Sequence, residues 1–153
     1  MDTVTRREAY ILRCQNNLRQ LYNSAMQYQD RKGNRSFPYN PEGSIAALQE
    51  MIDLDAEGLM AGMFVCPEGE ETPADREPGG RGFRLSEETC SYEMVPKKIR
   101  VTDQKSVLMY DKAPRHGGGR NVLLADGTVR WVEEPEFQQL LEKTLGAKPP
   151  AKQ

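Results

Sequence analysis

The segment from His116 to Val132, HGGGRNVLLADGTVRWV, constrains the fold more than any other. Two apolar runs, 121–125 and 128–132, flank Asp126-Gly127, a dipeptide that strongly signals a tight β-hairpin. A two-residue turn there pairs Ala125 with Thr128, Leu124 with Val129, Leu123 with Arg130 and Val122 with Trp131. In that register Val122, Leu124, Val129 and Trp131 share one wholly apolar face, which should lie on the core. Leu123, Ala125, Thr128 and Arg130 form the mixed face. Such a sheet needs an apolar partner from elsewhere in the chain.

The N-terminal segment supplies it. Ile11, Cys14, Leu18, Leu21, Ala25 and Tyr28 recur at alternating steps of three and four, which predicts an α-helix over 6–31 with Leu18 and Leu21 in the core. Arg6, Arg13, Asn16, Arg19 and Asn23 lie on the opposite, solvated side. Gly33 follows Arg31-Lys32 as a helix stop, and Pro38 and Pro41 make 36–43 a loop.

Ser44 has the character of an N-cap for a short helix over 45–52, placed to cover one edge of the sheet. The run 59–65, stopped by Cys66-Pro67, is expected to be a short strand. From 67 to 89 glycines, prolines and charges dominate, and Phe83 and Leu85 are the only large apolar residues. That composition predicts a long, exposed, mobile loop. Segments 91–95 and 106–110 have strand character, and with the hairpin they make an antiparallel sheet of about four strands. Glu134-Pro135 opens a last helix carrying Phe137, Leu140, Leu141 and Leu145, with Gly146 as its end. The expectation is an α+β fold: one domain over 1–146, with a disordered tail over 147–153.

Composition narrows the function. Lys and Arg number 21 against 23 Asp and Glu, a formal charge of -2, and no basic stripe interleaves with aromatics, so nucleic acid is not an expected partner. No apolar run reaches membrane-spanning length, and the segment after Met1 has no signal-peptide character. Three cysteines, Cys14, Cys66 and Cys90, allow one bridge plus a thiol or three thiols.

Several elements occur in an order that resembles a known family. They are CQNNLRQL from Cys14, Tyr28, Ser36-Phe37-Pro38, Phe64-Val65-Cys66-Pro67, Ser91-Tyr92, and His116 followed after nine residues by Asp126-Gly127. Over about 6–132 this is similar to the soluble part of type IV pilin-like and type II secretion pseudopilin-like proteins bearing a His, nine residues, Asp-Gly motif. The motif positions carried over are His116, Gly117, Asp126 and Gly127. The resemblance implies a pilin-like fold, a long N-terminal helix lying across an antiparallel sheet. It also implies a prepilin-type leader and an apolar helix before Met1, and hence anchoring in the inner membrane with the domain in the periplasm or at the surface. The implied function is a non-enzymatic structural subunit of a cell-envelope filament or secretion apparatus, whose partners are other pilin or pseudopilin subunits. The alternative from another class is a surface or periplasmic binding module for a glycan or protein.

The chemistry-bearing residues are read against that background. His116, Asp111 and Asp126 invite a metal-site or acid-base reading. Asp126, however, sits at the hairpin tip, on the order of 20 Å from His116 along a straight strand. The expectation is therefore that Asp126 shapes the turn and His116 hydrogen-bonds locally to fix the glycine loop, with no catalytic residue assigned. Gly117–Gly119 lack the helix and Lys-Ser/Thr pair of a nucleotide loop and are read as a flexible strand entry. No cofactor is assigned. Pseudopilin relatives often bind calcium beside the sheet, and Glu68, Glu70, Glu71 and Asp75 offer oxygens suited to it, although without EF-hand spacing. In an oxidising envelope compartment, a Cys66–Cys90 disulfide would close the poorly cored loop. The competing reading is three buried thiols, with Cys14 a small core hydrophobe.

Overall fold

A computed structural model describes residues 3–55, 58–76 and 82–146, with the backbone alone for 3–5. The tail expected over 147–153 lies outside the described residues. In chain order the elements are helix α1 (Thr3–Lys32), helix α2 (Ser44–Leu54), strands β1 (Tyr92–Met94), β2 (Val107–Asp111), β3 (Gly119–Leu124) and β4 (Val129–Glu133), and helix α3 (Glu134–Leu145). The strands form one antiparallel sheet in the order β1-β2-β3-β4. The expected α+β layout, with a long first helix, four strands and a last helix, is therefore present. None of the described helices is long and apolar enough to cross a membrane.

Helix α1 follows its stripe. Cys14, Leu18, Leu21, Ala25 and Tyr28 are buried, while Arg13, Asn16, Arg19 and Asn23 are exposed. Gly33, at φ 69°, takes the left-handed conformation that ends the helix, and its N–H reaches the Gln29 carbonyl at 3.0 Å. Helix α3 begins with Pro135 in its first turn and ends at Gly146, φ 72°.

The hairpin forms, but one residue out of the expected register. Leu123 pairs with Val129, Val122 with Arg130 and Asn121 with Trp131. The Leu124 N–H donates to the Thr128 carbonyl at 2.8 Å, so Ala125, Asp126 and Gly127 make a three-residue loop. Gly127, at φ 93°, supplies the left-handed position that closes such a loop, and Asp126 caps it by accepting from the Thr128 N–H at 2.9 Å. Because side chains alternate along a strand, the slip splits the expected apolar quartet. Val122 and Leu124 belong to one face, Val129 and Trp131 to the other. Of the six residues expected in the core, Leu18, Leu21 and Val122 are fully buried, whereas Leu124, Val129 and Trp131 are only partly so.

Both faces of the sheet are in fact covered. On one, Asn17 of α1 donates to the Tyr92 hydroxyl at 3.0 Å, and the Tyr22 hydroxyl donates to the Ala125 carbonyl at 3.0 Å. On the other, Phe137 of α3 packs against Tyr110, ring centroids 4.9 Å apart, and the Arg120 guanidinium lies 4.3 Å over the same ring. A sheet buried on both sides has no need of a wholly apolar face, so the apolar quartet gave no real support to the register that the two-residue turn implied.

Three local expectations change. Gly43 caps α2 in place of Ser44, whose hydroxyl instead accepts the Met94 N–H at 2.7 Å and ties the helix to edge strand β1. Segment 59–65 contains a 3₁₀ turn, Ala61–Phe64, where a strand was expected, in keeping with Gly62 in its middle. The described parts of 67–89 are held down. Gln49 donates to the Phe83 carbonyl and accepts from the Leu85 N–H, both at 2.9 Å, and Phe83 stacks edge-on against Phe64. The two apolar residues of that loop act as its anchors.

Candidate functional site

Four distant segments bring a single cluster together beneath α1. Cys14 comes from the buried stripe of the helix, and Cys66 and Glu68 from the start of the 67–89 loop. Asp111 ends β2, and His116 precedes β3. The Cys14 Sγ donates to the Cys66 Sγ at 2.8 Å, and the Cys66 Sγ lies 3.4 Å from His116 Nε2. His116 Nδ1 is 2.6 Å from Glu68 Oε1, and its Nε2 is 3.4 Å from Asp111 Oδ2. Cys14 and His116 side chains are wholly enclosed, and Cys66 and Asp111 are 1% exposed. Asp111 Oδ2 accepts the Asn121 N–H at 2.7 Å, while Oδ1 has no partner among the described residues.

Backbone geometry sets these positions. Gly117 and Gly118 have φ of 74° and 90°, so the chain reverses immediately after His116 and turns its ring back toward the loop. The Trp131 indole N–H then donates to the His116 carbonyl at 3.0 Å. Gly119 lets that indole lie against the strand, since a Cβ there would meet the Trp131 ring and the Val132 carbonyl at 2.4 Å.

A ring of charge surrounds the cluster. The Arg115 guanidinium grips both Glu71 oxygens, and Lys112 Nζ is 3.3 Å from the same carboxylate. The Ser91 hydroxyl donates to Glu71 at 2.7 Å and accepts the Cys66 N–H at 2.7 Å, linking this ion pair to the thiols. Burial raises Glu71, but the Arg115, Ser91 and Lys112 partners more than offset it and hold the carboxyl down at about 2. The hydrogen bond from Cys14 pulls the Cys66 thiol down against burial, and the same contact holds Cys14 protonated. Burial opposes charge on His116, yet the Cys66, Asp111 and Glu68 groups around it raise the imidazolium to about 9. Burial lifts Asp111 to about 7.

The expected site residues separate. His116 does not hydrogen-bond locally through its ring; its partners are Cys66 and Glu68, 50 and 48 residues away. Asp126 stays at the exposed hairpin tip and takes no part. The Cys66–Cys90 disulfide is absent: all three cysteines are free thiols, Cys66 faces Cys14, and the Cys90 thiol donates to the Tyr92 carbonyl at 3.2 Å. Cys90 lies beside β1, whereas Cys66 turns inward toward α1. Nor do Glu68, Glu70, Glu71 and Asp75 form a calcium cage. Glu68 is committed to His116 and Glu71 to Arg115 and Lys112, while Glu70 and Asp75 are exposed. Among the described residues, the grouping that could hold a metal ion is Cys14, Cys66 and His116.

The sequence reads Cys14 as a core hydrophobe, whereas the structure sets it against Cys66, with Glu68 orienting the neighbouring His116. The available signal was the helical stripe, which points Cys14 inward while Cys66-Pro67 ends an apolar run at a loop. No protein-family model, curated protein or solved structure matches the chain.

Proposed function

We propose that the chain is the soluble part of a pilin-like or pseudopilin-like structural subunit of a cell-envelope filament or secretion apparatus, without enzymatic activity. The observation that carries this reading is the asymmetry of α1. Its thirty residues extend about 45 Å at ~1.5 Å per residue. Cys14 to Tyr28 pack on the fold, whereas Arg6 to Ala9 are exposed and Leu12 is 54% exposed. The first turns are thus less buried than the rest of the helix, although the Arg7 side chain rests beside Gly117, and they are suited to continue into an apolar helix that anchors the subunit in a membrane and packs with its neighbours. The enclosure of the motif histidine also favours a structural role, because a substrate has no route to a wholly buried ring. The layout of a long helix over an antiparallel sheet is compatible with the pilin-like class, although a fold of this kind hosts many activities.

The gene upstream of Met1 tests the reading. A short basic leader, a processing site and an apolar helix in phase with α1 are expected. An ordinary cleavable signal peptide would instead favour the secreted binding module for a glycan or protein.

A further inference from the structure

From the geometry of the buried cluster we infer that it is a zinc site, with Cys14 Sγ, Cys66 Sγ, His116 Nε2 and the Asp111 carboxylate as ligands. The inference is independent of any filament, since the ligands lie inside the folded domain.

The donor set, two thiolates with an imidazole and a carboxylate, is drawn wholly from ordinary zinc ligands and is closed on all sides by protein, as in structural sites. With Zn–S at about 2.3 Å and Zn–N or Zn–O near 2.0 Å, tetrahedral ligand atoms stand roughly 3.3–3.8 Å apart. Cys66 Sγ to His116 Nε2 and His116 Nε2 to Asp111 Oδ2 both measure 3.4 Å. The two sulfurs, at 2.8 Å, would open by about 1 Å around the ion. The ligand atoms of Cys14, Cys66 and His116 all lie within 4.8 Å of one another; Asp111 is outside that grouping and would swing its carboxylate in from beside His116 as the fourth ligand.

Two further observations point the same way. His116 Nδ1 is held by Glu68, which fixes the tautomer that leaves Nε2 free for a metal, the usual carboxylate-histidine-zinc arrangement. Asp111 is a buried carboxylate with one oxygen unpartnered among the described residues, a costly arrangement that a cation would relieve. Binding requires Cys14 Sγ, Cys66 Sγ and His116 Nε2 each to give up any proton it carries, so that Zn²⁺ meets two thiolates, one neutral imidazole and one carboxylate.

Enclosure and role follow together. The ion would join the middle of α1, Cys66 at the entry to the 67–89 loop, the end of β2 and the entry to β3. It would act as a structural clamp without an open coordination position for catalysis.

The test uses the full chain, reduced, freed of metal and titrated with Co²⁺ as the probe. One equivalent should produce a thiolate-to-cobalt charge-transfer band and the intense visible bands of four-coordinate cobalt, and one equivalent of Zn²⁺ should abolish both. Glu68→Gln, at a partly exposed position outside the ligand set, should weaken binding 10–100-fold. Cys66→Ser should remove the charge-transfer band or shift it, and Cys90→Ser should leave it unchanged. The inference is overturned if the folded, reduced wild-type chain gives no thiolate–cobalt band. It is overturned equally if Cys90→Ser removes the band, or if the purified chain holds no zinc and carries Cys14 and Cys66 as a disulfide.

Discussion

The two ends of strand β3 are built on different principles. At the C-terminal end, Leu124, Asp126, Gly127 and Thr128 close a loop with bonds spanning four residues or fewer. At the N-terminal end, His116 is fixed by Cys66, Glu68 and Asp111, of which only Asp111 is near in sequence. The turn is closed by local bonds at an exposed tip, with Ala125 and Asp126 also donating to the Ser106 and Gln104 carbonyls, whereas the histidine end is enclosed and held by side chains distant in sequence. Local geometry tolerates the loss of any one part, whereas a buried network of charges depends on every member. The motif that ties His116 to Asp126-Gly127 in sequence therefore joins two separate devices, a core clamp and a turn.

The largest expected effect lies at the clamp. His116→Ala leaves Glu68 and Asp111 without their cationic partner and opens a cavity, and should cost about 3–5 kcal/mol in chemical denaturation. A loss below about 1 kcal/mol would place the clamp on the same footing as the turn. Next comes the ion pair beside it. Glu71 titrates at about 2 when folded against an ordinary 4.5, so its contribution is fully present above pH 4.5 and is lost as pH falls toward 2. Its charged hydrogen bonds are worth about 1.5–3 kcal/mol. Glu71→Gln should flatten the acid limb of stability in that window, and an unchanged limb would remove Glu71 from the account.

Smaller effects belong to the turn. Gly127→Ala forces an L side chain to φ 93° and sets its Cβ 2.9 Å from the Tyr22 ring. The expected cost is about 1–2 kcal/mol, read as a lower thermal midpoint. Asp126→Ala gives up one exposed hydrogen bond to the Thr128 N–H, for about 0.5–1 kcal/mol. If Asp126→Ala proved costlier than His116→Ala, the contrast between the two ends would be reversed.

The same contrast explains what could be read in the sequence. The α1 stripe, the Gly33 and Gly146 stops, Pro135 in the first turn of α3 and the presence of a hairpin at Asp126-Gly127 are written in neighbouring residues, and they appear as read. The hairpin register is misread because Asp-Gly serves both two- and three-residue loops, and because α1 and α3 cover opposite faces of the sheet, so that neither face has to be wet. Ser44 reads as a cap because its role in holding β1 depends on a residue 50 positions away. The clamp was hidden for the same reason. Cys14 is indistinguishable from a small core residue until the fold sets it against Cys66. The charged loop hid Glu68 among other glutamates, and no spacing rule marks which of them meets a histidine 48 residues on.

A pair of double-mutant cycles measured by chemical denaturation tests the separation of clamp and turn most directly, one for Glu68→Gln with His116→Ala and one for Asp126→Ala with His116→Ala. Residues in one network couple by about 0.5–3 kcal/mol, whereas distant sites add to within roughly 0.5 kcal/mol. The account predicts a coupling above about 1 kcal/mol for Glu68 with His116 and additivity for Asp126 with His116. Additivity in the first cycle together with strong coupling in the second would contradict it.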